Sequence, residues 1–196
     1  MSIADSTTRF ADTDVDLLPA LAERWSPRAF DATAEIDESK LTAALEAARW
    51  SPSANNSQPW RFIVGRRGSA AFDTIAQNLL GFNQAWAGSA SALVLAVAEV
   101  TDSEGNPRRF ATYDLGQAVA HLTIQAHHDG LHAHQMGGID VDGLRAAFDI
   151  GERFLPFSVT ALGTVGDPDV LPERLREREL APRTRNALTD IVVVND

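Results

Sequence analysis

The sequence predicts an α+β domain in which helices and strands mix along the chain, and three observations carry that reading. Apolar residues recur at spacings of four and three over residues 38–50 and 114–130, as on one face of an amphipathic helix. Trp60, Phe62 and Val64 alternate with Arg61, Ile63 and Gly65 at the period of a strand. Two apolar runs, 92–100 and 158–165, read as further strands.

In chain order, Leu41, Leu45 and Ala48 mark the first clear helix, with Asp37 as its N-cap and Pro52 as its stop. The polar stretch SPSANNSQPWRF, residues 51–62, links that helix to the period-two strand and reads by composition as a loop. After the 92–100 strand, Glu104-Gly105-Asn106-Pro107 closes a turn, with Pro107 placed to open the next helix. Leu115, Val119, Leu122 and Ala126 keep helical spacing until Gly130 ends it. Residues 131–136 form a short strand, followed by Gly137-Gly138 and a helix starting at Asp140. From Glu173 to Glu179, charges of both signs interleave, as on an exposed, salt-bridged helix. Ile191 to Val194 is an apolar tail that must pair with its own sheet or a neighbour's.

A chain of 196 residues, 44% hydrophobic, can bury one good core and is expected to form a single domain over 1–196, with 1–14 a loose N-terminal arm. Its start lacks a basic segment followed by an apolar core, and no run reaches the length of a membrane span, so a cytoplasmic protein with no membrane partner is expected. The absence of cysteine excludes disulfides, thiolate metal sites and thiol catalysis. Redox chemistry would therefore need a cofactor. A net charge of −10 argues against nucleic acid as a partner and makes local arginine clusters more informative.

Two such clusters exist. In Arg24-Trp25-Ser26-Pro27-Arg28, Pro27 holds Ser26 extended, so Arg24, Ser26 and Arg28 project to one side and suit a phosphate. Pro182-Arg183-Thr184-Arg185 repeats the device. Ordinary solvated arginines explain either segment alone; two copies in an acidic chain favour an anion site. Gly137-Gly138 would let a ligand approach the backbone, and a tight turn would use the same glycines. All five histidines fall between 121 and 134, but HExxH and an acidic partner at ligand spacing are missing, so no metal is expected. Also missing are GxGxxG, GxxxxGK[ST] and GxSxG, which removes a Rossmann site, a P-loop and an α/β-hydrolase nucleophile.

In order, these pieces resemble the FMN-dependent nitroreductase family. Its Arg-x-Ser-x-Arg segment matches Arg24 to Arg28, and its Pro-Ser-x-x-Asn-x-Gln-Pro-Trp loop matches Pro52 to Trp60. A central helix, 114–130, then Gly137-Gly138 and the closing Arg183-Thr184-Arg185 extend the likeness over about residues 17 to 194. The resemblance implies a nitroreductase-like fold: a central, mostly antiparallel sheet flanked by helices, in a homodimer with FMN between the subunits. The tail from 186 to 196 would pass onto the partner. Arg24, Ser26, Arg28, Arg183 and Arg185 would hold the phosphate and ribityl end, and Pro52, Ser53, Asn56 and Gln58 would line the flavin. Backbone N–H groups of Gly137 and Gly138 would face flavin N5 and O4, with Asn83 at the pyrimidine edge.

Such an enzyme would pass hydride from NAD(P)H through flavin N5 to a small-molecule acceptor such as a nitroaromatic or quinone, in ping-pong fashion, with no side-chain acid or base assigned. Only residues 101–110 stand where many relatives carry an aromatic excursion over the flavin. That short segment leaves two alternatives open: a flavoenzyme of the same fold with dehydrogenation or flavin-breakdown chemistry, or a flavin-binding and storage protein without turnover.

Overall fold

Caps and apolar spacing account for the helices in the computed structural model, which describes residues 9–194. A short helix α1 (Pro19–Glu23) begins with proline at its first position, where no N–H is needed. Asp37 accepts the N–H groups of Ser39 and Lys40 and opens α2 (Glu38–Arg49), while Ser69 caps α3 (Ala70–Gln77). The long helix α4 (Ala111–His128) buries Leu115, Ala118, Leu122 and Ala126. It ends where Gly130 turns the chain at a φ of 83°, a left-handed conformation that glycine adopts without steric cost. Asp140 caps α5 (Val141–Phe148), and α6 (Glu173–Leu180) and α7 (Leu188–Ile191) follow.

Four strands, β1 (Trp60–Arg66), β2 (Ala92–Glu99), β3 (His132–Met136) and β4 (Phe154–Gly163), form one antiparallel sheet in the order β1-β2-β4-β3. Helices cover both faces. Leu41, Ala44 and Ala48 of α2 and Leu115, Ala118 and Leu122 of α4 pack on Val94, Ala96 and Leu162. Phe72 and Ile75 of α3, Leu144 of α5 and Leu175 of α6 pack with Leu93, Leu95 and Val159 on the opposite face. That double cover explains why every residue of β2 is buried and the strand reads as an unbroken apolar run.

The α+β class and the main elements follow the sequence reading, with four differences. Pro107 does not open a helix: it bridges Thr101, and α4 starts four residues later at Ala111. Asp102 causes this by accepting the N–H groups of Glu104 and Asn106, which folds 101–107 into a tight hairpin. Strand β4 begins at Phe154, ahead of the expected Ser158, because a register shift between the partners of Ala96 and Val97 accommodates Pro156 and Phe157. Helix α6 carries the expected exposed ion pairs, Arg176 with Asp169 and Glu173, but its Glu179 is buried. Finally, the tail begins with the helical turn α7; Ile191, Val193 and Val194 are exposed in the isolated chain. Residues 1–8 of the expected N-terminal arm lie outside the described residues, while Arg9 is buried with its guanidinium 3.6 Å from the centre of the Trp25 ring.

Candidate functional site

Arg24, Ser26, Arg183 and Arg185 come together where the chain leaves α1 and where it leaves α6. Arg24 donates to the Ser26 hydroxyl at 2.9 Å, and its Nε is buried without a partner. Arg183 reaches the carbonyls of Arg9 and Ala22 at 2.8 and 2.5 Å, fixing the second arginine segment against the first. Burial holds the Arg24 guanidinium below its ordinary pKa, and the neighbouring charges of Arg183 and Arg185 push it further down. Among the described residues no carboxylate forms an ion pair with these three arginines. Cations gathered at a protein surface with an orphaned buried donor make a seat for an external anion.

Arg28 is placed differently. Its guanidinium lies 3.7 Å from Glu179, whose buried carboxylate also accepts the N–H groups of Arg28 and Ala29 at 2.9 to 3.1 Å. Glu179 therefore locks α6 onto the arginine segment and already neutralises part of the Arg28 charge. Behind the same segment, His134 donates from Nδ1 to the Pro27 carbonyl at 2.8 Å, and His132 sits edge-on to Trp25. Burial drops both histidines to a pKa of about 4, so near neutral pH they are uncharged supports for the arginines.

Three residues beyond His134, at the end of β3, lie Gly137 and Gly138. A side chain at Gly137 would meet nothing within 4 Å, whereas one at Gly138 would come within 3.1 Å of the Asn83 amide. Asn83 donates to the Gly138 carbonyl at 3.4 Å. The glycine pair, Asn83 and the arginine cluster thus share one edge of the sheet.

Pro52, Ser53, Asn56 and Gln58 are elsewhere, in the loop that runs directly into β1 at the opposite edge. Three strand spacings, about 14 Å, separate β1 from β3. The loop is tightly built. Asn55, Asn56 and Gln58 all have φ between 46 and 53°, left-handed values that are unfavourable for residues with a side chain. Ser53 accepts the Gln58 N–H at 3.0 Å, Asp114 on α4 accepts the Ala54 N–H at 3.0 Å, and Ser51 bonds the His121 ring at 2.6 Å. From the sheet side, Arg61 donates to the carbonyls of Gln58 and Trp60, and Arg108 to that of Ser57. The buried carboxylate of Glu99 gathers Arg61, Arg108 and Arg153, so one anion fixes the cations that hold the loop from this side.

Asp114, Glu99 and Glu179 are supporting residues that sequence reasoning did not pick out. A signal existed: Asp114 stands four residues before Ala118 on the buried stripe of α4, and Glu179 four after Leu175 on that of α6. Charges in register with an apolar stripe are buried, and buried carboxylates need partners.

The residues present fit a flavin mononucleotide: an unneutralised arginine cluster for its phosphate, a glycine pair without side chains to block approach to the backbone, and a rigid polar loop. Comparisons with known proteins agree. A model described as Nitroreductase family matches residues 21–81. An uncharacterized 15.4 kDa protein of Mycolicibacterium smegmatis is 42% identical over 139 residues, 67% of this chain and 92% of that one. The oxygen-insensitive NAD(P)H nitroreductase of Salmonella typhimurium is 30% identical over 110 residues, 50% of this chain and 51% of its own. A crystal structure described as an oxidoreductase containing FMN is 37% identical, with 96% of each chain covered and a TM-score of 0.86. The chain belongs to the nitroreductase family.

Proposed function

We propose that this protein is an FMN-dependent oxidoreductase that takes hydride from NAD(P)H and delivers it to a small electrophile such as a nitroaromatic or a quinone. The observation that carries the reading is the cluster of Arg24, Arg183 and Arg185, three cations without a carboxylate partner among the described residues, beside an edge of the sheet that ends in two glycines. FMN, when bound, would supply the two-electron chemistry. The protein's part is position and charge. Arg24, Arg183 and Arg185 hold the phosphate, Ser26 orients Arg24, and Arg28 contributes what charge Glu179 leaves to it. Backbone N–H groups of Gly137 and Gly138 would be available to donate to the ring, with Asn83 beside them.

The loop of Pro52, Ser53, Asn56 and Gln58 completes the site from a second copy of the chain, because within one chain it stands at the other edge of the sheet. Exposed Leu17, Leu18, Leu188 and the 191–194 tail give the apolar surface such a homodimer would bury. Among the described residues no helix is long and apolar enough to cross a membrane.

The purified protein, supplied with FMN, is expected to show the visible flavin absorbance band, which bleaches on anaerobic addition of NADH or NADPH and returns on addition of a quinone. A band that neither donor bleaches would contradict the reductase reading and leave flavin binding standing. Absence of any bound flavin would sink both.

A further inference from the structure

We propose that the cavity between the loop at 52–58 and the segment 107–111 that follows the hairpin is a subsite for an anionic acceptor, an aromatic or unsaturated carboxylate, whose charged group is read by Arg109, with the positive charge of Arg108 beside it. The inference deepens the reductase reading, since it rests on that loop lining the reaction site.

The cavity has a volume of about 410 Å3, and its walls include Asn55, Ser57, Arg108, Arg109, Phe110 and Asp114. That size, near the low end for small-ligand pockets of roughly 300–1,000 Å3, suits a single ring with a substituent and is too small for a dinucleotide. Charge is unevenly used inside it. Asp114 is its single acidic wall residue, and its carboxylate is already engaged by the Ala54 N–H at 3.0 Å and the Gln117 amide at 3.5 Å. Arg108 uses its terminal nitrogens on the Ser57 carbonyl and, at 3.8 Å, on Glu99, but its Nε is buried and has no partner. Arg109 forms no ion pair or hydrogen bond among the described residues; its guanidinium lies 5.5 Å from the Phe110 ring centre. Arg109 thus offers a guanidinium with its donors unused beside a carboxylate that is already hydrogen-bonded, and Arg108 adds its positive charge to the same wall. Phe110 and Pro107 supply the apolar wall against which a ring would lie.

Arg108 also supports the loop, so the test acts on Arg109. Benzoate and the neutral benzamide are titrated calorimetrically into the FMN-loaded protein, into Arg109→Ala and into Arg109→Glu, and KM is measured for 4-nitrobenzoate and 4-nitrobenzamide. The wild type is expected to bind benzoate about ten-fold or more tighter than benzamide, the scale of one charge-assisted hydrogen bond. Arg109→Ala should remove most of that preference and Arg109→Glu reverse it, with benzamide changed less than about two-fold, and the two KM values should follow the same pattern. Equal affinity for benzoate and benzamide in the wild type, or equal losses for both in Arg109→Ala, would overturn the proposal. A parallel titration of 2′,5′-ADP against 5′-AMP separates the other source of an anion. If Arg109→Ala abolishes a preference for 2′,5′-ADP and leaves benzoate alone, the arginine reads the donor's 2′-phosphate and the proposal fails. Because the calorimetry does not need turnover, the benzoate preference and its loss in Arg109→Ala remain measurable in a protein that no donor reduces.

Discussion

Replacing Glu179 with alanine is expected to be strongly destabilising although the residue lies outside the apolar core. The carboxylate is 2% exposed and accepts two backbone N–H groups, of Arg28 and Ala29, besides standing 3.7 Å from the Arg28 guanidinium. Hydrogen bonds to a charged group contribute about 1.5–3 kcal/mol each, and breaking a buried pair by removing one partner costs about 3–5 kcal/mol in total. Taking the latter range and a urea m-value of about 2 kcal/mol/M, the unfolding midpoint should fall by about 1.5–2.5 M. In a domain of this size the melting temperature should drop by roughly 6–20 °C. Glu179→Gln keeps an acceptor oxygen and should lose less than half as much. Exposed Glu177 on the same helix is the control, and its glutamine variant should stay within about 0.5 kcal/mol of wild type. If Glu179→Ala lost less than about 1 kcal/mol, the carboxylate would not be the lock between α6 and the arginine segment.

Other consequences follow from the same contacts. Asp114→Ala leaves the Ala54 N–H without its acceptor, at a cost of about 1–3 kcal/mol; it should weaken FMN binding measured by flavin fluorescence, with Asp114→Asn intermediate, and an unchanged affinity would mean the loop holds its shape without α4. His132 and His134 have folded pKa values near 4 against 6.5 ordinarily, so the unfolded chain binds more protons than the folded one between those pH values. Their neutral burial is therefore without penalty above about pH 6.5 and costs stability as pH falls towards 4, by at most about 1.4 kcal/mol per pH unit for each ring. In urea titrations across that window, His134→Gln should show a shallower pH slope than wild type; parallel slopes would count against the buried neutral ring.

The architecture was largely legible because the sheet is covered on both faces. Leu93, Leu95 and Val97 face one helical layer and Val94, Ala96 and Ala98 the other, so β2 announces itself as an unbroken apolar run. Helix α2 was equally plain from Asp37 and the Leu41, Leu45 and Ala48 spacing. Local rules failed where a side chain redirected the backbone. Asp102 turned a proline expected to start a helix into the return arm of a hairpin, and a bulge admitted Pro156 to a strand. At the candidate site, the two arginine segments were visible as repeated proline–arginine patterns, and the structure brings Arg24 and Arg183 together. What the sequence could not display was which cations are already neutralised. Glu179 lies 151 residues from Arg28, and Glu99 gathers arginines 38 and 54 residues away. Pairings of that range are set by the sheet order and by helix packing, which no local window contains.

The function proposed for this chain turns on the phosphate role of the arginine cluster, which is tested most directly by comparing FMN with riboflavin, which lacks the phosphate, in the wild type, Arg24→Ala and Arg185→Ala. Each substitution is expected to weaken FMN by about 10- to 100-fold, the equivalent of one lost charge-assisted contact, while riboflavin affinity changes less than about two-fold. Equal losses for the two ligands, or none for FMN, would contradict that role and place the flavin's phosphate away from Arg24, Arg183 and Arg185.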